Sequence, residues 1–187
     1  MWKEIHLIVG KYTIPTKEFL IGLDETGKGE LVGHTVLTGV IFPSALFETI
    51  REIAGPADTK VHHEFAYWDG IFQELDKRRR QGFDFLIETI PPWEVDAYKL
   101  NKIMDVTYQR ALSTFFRKVE ISKCRIVIDD YGIGDTLRRF LRFLEKKGAE
   151  VIIIHHADDS FLEAKIASLV SKRERESVID RINKEQQ

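Results

Sequence analysis

The sequence predicts an α/β fold, a mixed central sheet flanked by helices. Three observations carry that expectation. Two apolar runs, 19–23 and 35–42, are joined by a glycine-bearing turn and read as paired strands. After residue 43, short apolar runs alternate with stretches whose apolar residues recur at helical spacing. Three of the strand-like runs carry adjacent acids at their ends or in the turns that follow, Asp24-Glu25, Asp129-Asp130 and Asp158-Asp159. In open α/β sheets, sites gather outside the carboxyl ends of strands.

Taken in order, Ile5 to Val9 reads as a short strand broken by Gly10-Lys11 and Pro15, giving a hairpin or edge strand in the first twenty residues. The acid-bearing strand and its partner follow. Ser44 is placed to cap a helix through about Ala54, closed by Gly55-Pro56. Asp58-Thr59-Lys60 lies in a loop. Residues 62–81 read as a helix with Phe65, Trp68, Phe72 and Leu75 on one side, stopped by Gly82. Phe83 to Ile90 is a strand ended by Pro91-Pro92. Glu94 to Asn101 begins a helix or a lead-in turn. Met104, Tyr108, Ala111, Leu112, Phe115 and Val119 form the core stripe of the helix beyond it.

Arg125 to Ile128 is a buried strand, and Gly132 and Gly134 form the turn after its acids. Thr136 to Lys147 is amphipathic, with Leu137, Phe140, Leu141 and Leu144 inward. Val151 to Ile154 is a further buried strand. Ser160 and Glu163 have capping-box spacing, so the last helix should start there and run towards Ile182 before a polar tail.

Composition bounds the rest. The 187 residues suffice for one domain with a proper core. At 43% hydrophobic and 31% charged, the chain reads as a soluble globular protein and not as a disordered one. No apolar run reaches the roughly 18 residues of a membrane span, and the start lacks a secretory pattern. The single cysteine, Cys124, reads as a buried thiol in a reducing, cytoplasmic setting. A net charge of −2 does not announce a nucleic-acid binder, yet basic clusters at Lys77-Arg78-Arg79-Arg80, Arg138-Arg139 and Lys172-Arg173 could meet phosphates. Solvated helix faces are the plainer reading of the first two. Trp2, Trp68 and Trp93 read as packing residues.

A carboxylate at the mouth of a buried strand is costly unless compensated. Several gathered together repel and rise in pKa unless cations neutralise them. Oxygen ligands suit Mg²⁺ or Mn²⁺, and a pair of such ions can activate water for phosphodiester hydrolysis. A direct role for His155 or His156 fits less well, since hard cations prefer oxygen. One of these histidines should face the sheet and the other away.

The string Asp24-Glu25-Thr26-Gly27-Lys28-Gly29 resembles the signature of the type 2 ribonucleases H, and its Thr-Gly-Lys-Gly form is closer to the HIII branch. Asn101-Lys102-Ile103-Met104 also resembles a helix start of that branch. The resemblance spans about residues 20–176 and implies a ribonuclease H-like fold in a single catalytic domain, 1–187. It implies a metal-dependent endoribonuclease that cuts the RNA strand of RNA–DNA hybrids and leaves 5′-phosphate and 3′-hydroxyl ends. Asp24, Glu25, Asp129 and Asp158 would hold Mg²⁺ or Mn²⁺, with Asp130 and Asp159 as rivals for the last two places. Gly27, Lys28 and Gly29 would meet the RNA strand near its 2′-hydroxyls. Thr59 and Lys60 stand where the family has Asp-Ser-Lys, and the resemblance implies that this hydroxyl and ammonium bind the substrate at a phosphate; without it, an ordinary polar loop is the plainer reading. Ser168 and Lys172 would face the duplex from the last helix, matching an Ala-Ala-Ser turn and the lysine after it.

Where the chain departs from the family, His34 follows Gly33 in place of proline. No room is expected for the extra N-terminal domain of HIII enzymes, and no tyrosine follows Tyr131 to match the C-terminal one of HII enzymes. Weaker substrate binding and poor cutting at single ribonucleotides are therefore expected. A reduced relative that binds hybrids with little or no turnover is the alternative. An Asp-based phosphotransfer domain is a third reading, but it leaves the Gly-Lys-Gly turn and Lys172 unexplained. Oligomeric state is open, with a monomer favoured.

Overall fold

The computed structural model describes residues 8–27, 34–91, 93–94 and 99–185. Its strands are β1 (Ile8–Val9), β2 (Tyr12–Thr13), β3 (Phe19–Thr26), β4 (Thr35–Pro43), β5 (Asp84–Ile90), β6 (Cys124–Asp129) and β7 (Glu150–Ile154). Its longer helices are α1 (Phe47–Ala54), α2 (Phe65–Asp76), α3 (Leu100–Phe115), α4 (Asp135–Lys146) and α5 (Leu162–Glu185). β1 and β2 form the expected small hairpin, and the other strands form one sheet in the order β5-β4-β3-β6-β7. β3 is central: antiparallel to β4, parallel to β6. β7 lies parallel outside β6, and β5 antiparallel outside β4.

Strand alternation sorts the core into two layers. Leu20, Val40 and Phe42 face α1, α2 and α5, packing with Phe47, Ile50, Trp68, Leu75, Ile166 and Val170. Ile21, Leu23, Leu37, Ile126 and Ile128 face α3 and α4, packing with Tyr108, Leu112, Phe115, Leu137 and Leu141. Asp24 therefore belongs to the α5 face and Glu25 to the α3 face.

The first ten residues of α5, 162–171, are all buried, so the helix begins enclosed on every side. It can do so because β3 carries Gly22 beneath it. A Cβ on Gly22 would stand 2.0 Å from the Glu163 carbonyl oxygen and 2.7 Å from the Ala164 nitrogen. Arg125 of β6, fully buried, holds the same turn from the side. Its guanidinium donates to Glu163 Oε1 and Oε2 at 2.7 and 3.1 Å, and to the carbonyls of Ile14 and Thr13 at 2.7 and 3.4 Å. One cation thus ties α5, β6 and the chain after β2 into one arrangement.

Several boundaries differ from expectation, each for a local reason. Ser44 opens a 3₁₀ turn (Ser44–Leu46) and makes no side-chain cap to α1. The long helix over 62–81 is α2 plus a 3₁₀ turn at Arg79–Gln81, ended by left-handed Gly82. The capping box at Ser160 does not form, because Glu163 is spent on Arg125 and α5 starts at Leu162. The lead-in at 94–101 lies partly outside the described residues, and α3 starts at Leu100. Trp68 is buried as expected, Trp93 is exposed and Trp2 lies outside the described residues. Cys124 is a free, buried thiol, pushed up to about 11 by burial. No described helix is long and apolar enough to cross a membrane.

Gly22→Ala should destabilise the fold by about 3 kcal/mol, the upper end of ordinary overpacking, because the clash is with backbone. A denaturant melt compared with Gly39→Ala, whose nearest contacts are the side chains of Leu23 and Phe115 at 3.0 Å, should show the larger loss at Gly22.

Candidate active site

The parallel pairing of β3 with β6 sets Leu23 beside Ile128, so one further step brings Asp24 level with Asp129. Arg125 and Val127 pack towards α5, and alternation puts Asp129 on that face with them. The two carboxylates leave adjacent strands at the same height, on the same side. Each feels the other's charge, or that of a further acid: Asp129 bears on Asp24, and Asp158 on Asp129. Asp158 lies in the 3₁₀ turn Ala157–Asp159, between β7 and α5.

Asp24 is almost wholly buried. Burial first, then the neighbouring Glu25 charge, drives its carboxyl up to about 8, although Ser168 of α5 hydrogen-bonds to it. Its own Oδ1 accepts the Glu25 N–H at 2.8 Å. Across the sheet, Thr38 is its register partner, and the Thr38 hydroxyl is buried with no hydrogen-bond partner. Burial and the Asp158 charge also raise Asp129. Its Oδ1 accepts the N–H of His156 at 3.2 Å, a residue in the left-handed region at φ 55. That backbone is uncommon for a residue with a side chain and is worth noting at a site. Glu25 turns to the other face, where Tyr108 donates to its Oε2 at 2.8 Å.

The rival acids are engaged elsewhere. Asp130 Oδ1 accepts the N–H groups of Gly132 and Ile133 at 2.9 and 3.3 Å. Against some burial, those bonds hold its carboxyl below the usual value. Asp159 is exposed, and its hydrogen bond with Lys60 holds it low.

Among the described residues, no group of three or more His, Cys, Asp or Glu is arranged as a ready-made metal cage. The donors nevertheless fit a hard divalent cation in kind. They are carboxylate oxygens, the central one is buried beside other negative charges, and an unpartnered hydroxyl stands beside it. Asp24, Asp129 and Asp158 are the residues that would hold it, from the α5 face.

No family model matches the chain. It is 29% identical over 169 residues to the ribonuclease HII of Sulfurisphaera tokodaii, covering 86% of this chain and 72% of that protein. It is 29% identical over 170 residues to the ribonuclease HII of Saccharolobus solfataricus, covering 87% and 71%. It superimposes on the ribonuclease H2 of Pyrococcus horikoshii with a TM-score of 0.68, at 22% identity over 89% of this chain and 76% of that one. Bst-RNase HIII, solved in complex with Mn²⁺, gives 0.65 at 15% identity over 90% and 55%. The fold is ribonuclease H-like. These likenesses support the type 2 ribonuclease H family.

Within that fold the remaining expected residues separate into two groups. Gly27 has φ +84, and a Cβ there would meet the His34 carbonyl oxygen at 2.7 Å, so the turn requires glycine. Lys28 and Gly29 lie outside the described residues. Ser168 is buried beside Asp24, and Lys172 stands one helical turn further on, half-buried. Thr59 is buried, donating to Asp158 Oδ2 at 2.7 Å. Lys60 is exposed and donates to both Asp159 oxygens at 2.8 and 2.6 Å.

Of the basic clusters, Arg79 pairs with Asp76 and Asp84 and lines a cleft with Phe19, at the opposite end of β3 from Asp24. Arg138 bonds the Ile133 carbonyl. Arg173 pairs with Asp69 and lies 4.3 Å over the Phe72 ring. The expectation that one of His155 and His156 faces the sheet fails, because β7 ends at Ile154 and both are exposed.

Sequence reasoning missed Tyr108, Arg125, Glu163 and Lys165. Tyr108 was hidden in a stripe that reads as core. The signal for Glu163 and Lys165 was available: two charges interrupt the apolar start of α5.

The raised Asp24 carboxyl makes a pH prediction. Its folded value exceeds its unfolded one, so the folded state holds the extra proton between about pH 4 and pH 8. The stability this proton provides is complete below the unfolded value and is lost as pH rises through about 8. In chelator, Asp24→Asn should therefore melt above the unsubstituted protein at the alkaline end, with the gap closing towards the acid end. Thermal melts across the window check it.

Proposed function

We infer that this chain is a divalent-metal-dependent endoribonuclease that hydrolyses the RNA strand of RNA–DNA hybrids. One observation carries the reading: Asp24 and Asp129 emerge level from adjacent parallel strands onto one face, with the Asp158 turn beside Asp129. The ribonuclease HII relatives support the activity, covering 86% and 87% of this chain. The Thr26-to-Gly29 string supports the HIII branch, while the curated relatives carry the HII name, so the reading spans both branches.

Asp24, Asp129 and Asp158 are proposed as the catalytic acids that hold Mg²⁺ or Mn²⁺; Glu25, expected to join them, faces α3 and accepts a hydrogen bond from Tyr108, so it is proposed to act as a neighbouring charge and not as a direct ligand. When bound there, a pair of such ions would supply activation of a water and stabilisation of the leaving 3′ oxygen, which leaves 5′-phosphate and 3′-hydroxyl ends. The side chains do the rest. Asp24 stays dry under α5, so its charge is available to a cation and poorly matched to anything else. Ser168 orients it through a hydrogen bond. Tyr108 holds Glu25 on the α3 side, where it adds negative charge without crowding Asp129. The Gly27-Lys28-Gly29 turn follows directly from β3 and is proposed to meet the RNA strand at its 2′-hydroxyls, with Lys28 on a phosphate. Lys172 and Lys60 are proposed to flank the duplex backbone. Among the described residues the acids do not stand as a ready-made cage, and cation binding is proposed to draw Asp24, Asp129 and Asp158 closer.

A cleavage assay tests this reading. With Mn²⁺ or Mg²⁺, the protein should cut a labelled RNA–DNA hybrid and spare plain DNA. Asp24→Asn should lower the rate at least about 100-fold, the scale of losing one preorganised electrostatic contact to a transition state, with circular dichroism unchanged. Full activity in Asp24→Asn would reject the assignment. Tight hybrid binding without cleavage at any ion concentration would support the binding-module reading.

A further inference from the structure

Lys165, in the first turn of α5, is 3% exposed, which is rare for a lysine. Its ammonium donates to Thr59 Oγ1 at 3.2 Å, and Thr59 Oγ1 donates to Asp158 Oδ2 at 2.7 Å. An ammonium only donates, a carboxylate only accepts, and a hydroxyl has a single proton. The relay therefore runs in one direction. With Lys165 filling the acceptor side of the hydroxyl, the Thr59 proton is committed to Asp158.

The surrounding bonds tie the loop carrying Thr59 to the turn carrying Asp158. Lys60 Nζ reaches Asp159 at 2.6 Å, and the Lys60 N–H is held by Asp58 Oδ1 at 2.9 Å. The charges bearing on Lys165 are Asp58, Asp158 and Asp159 on one side and Lys11 on the other. Burial is the largest influence on the ammonium and lowers its pKa.

We propose that Lys165 is a positioning residue for Asp158, acting through Thr59 to fix the orientation of the carboxylate that receives a divalent cation. The proposal rests on the reading of Asp158 as a metal-holding acid. It sets the Thr59 hydroxyl to work on an acid inside the protein, in place of the expected contact with a phosphate. Groups that orient a metal ligand from behind change metal affinity by roughly 10- to 100-fold when removed.

The test is Mn²⁺ titration by calorimetry, run beside hybrid cleavage, on the unsubstituted protein, Lys165→Met, Thr59→Val, Thr59→Ser and the Lys165→Met/Thr59→Val double variant. Lys165→Met and Thr59→Val should each weaken Mn²⁺ binding roughly 10-fold and lower kcat, leaving KM for the hybrid near its original value. The double variant should be no worse than the poorer single one, because both remove the same relay. Thr59→Ser keeps the hydroxyl and should recover most of the loss seen in Thr59→Val, which also guards against a folding artefact. Additive losses, or unchanged Mn²⁺ binding in Lys165→Met, would overturn the relay. So would tighter binding in that variant, since the ammonium would then act only by repelling the ion. If the unsubstituted protein binds Mn²⁺ but cuts nothing, the nuclease reading fails while the titrations still decide the relay. Absence of Mn²⁺ binding by the unsubstituted protein would overturn both.

Discussion

The seating of α5 on β3 at Gly22 is the constraint on which the site depends. Nothing larger than hydrogen fits between that residue and the Glu163 carbonyl, so the helix comes closer to the strand than any side chain would allow. Two residues along β3, on the same face, stands Asp24, and the same helix brings Ser168 against it. The close approach that dries the core also dries the acid. A carboxylate there cannot be charged cheaply, and that cost makes a cation the natural partner.

The ion pair of Arg125 and Glu163 belongs to the same construction. Both side chains are fully buried, and such a pair is weak evidence for net stability, since desolvation offsets the attraction. Its contribution is register: Arg125 can reach Glu163, Ile14 and Thr13 together in only one arrangement of α5, β6 and the chain after β2. The acids of β6 and of the turn before α5 inherit their positions from it. Lys165, two residues further along the helix, then carries the same logic, linking it to Asp158 through Thr59.

Much of this was legible in the residues. Apolar runs gave the central strands, and the acids at their ends marked one side of the sheet. Strand parity separates Asp129 from Asp130 once the pairing of β3 with β6 is known, and a single chain without its partners in view does not supply that pairing. Asp158 and Asp159 are separated by tertiary contacts, Thr59 for the first and Lys60 for the second, each about a hundred positions away along the chain. The helix caps were misjudged for a related reason. Ser160 and Glu163 have the right spacing for a local motif, but the Ser160 N–H bonds the Ala157 carbonyl and the Glu163 carboxylate bonds a buried guanidinium. The paired histidines were assigned by strand alternation, and the strand had already ended.

The central claim is that the acids on the α5 face share a cation. Anomalous scattering from crystals grown with Mn²⁺ tests it most directly. The account predicts density in contact with the carboxylates of Asp24 and Asp129, with Asp158 drawn in from its turn. Density confined to Asp130 or Asp159, or none near β3 at saturating Mn²⁺, would contradict it.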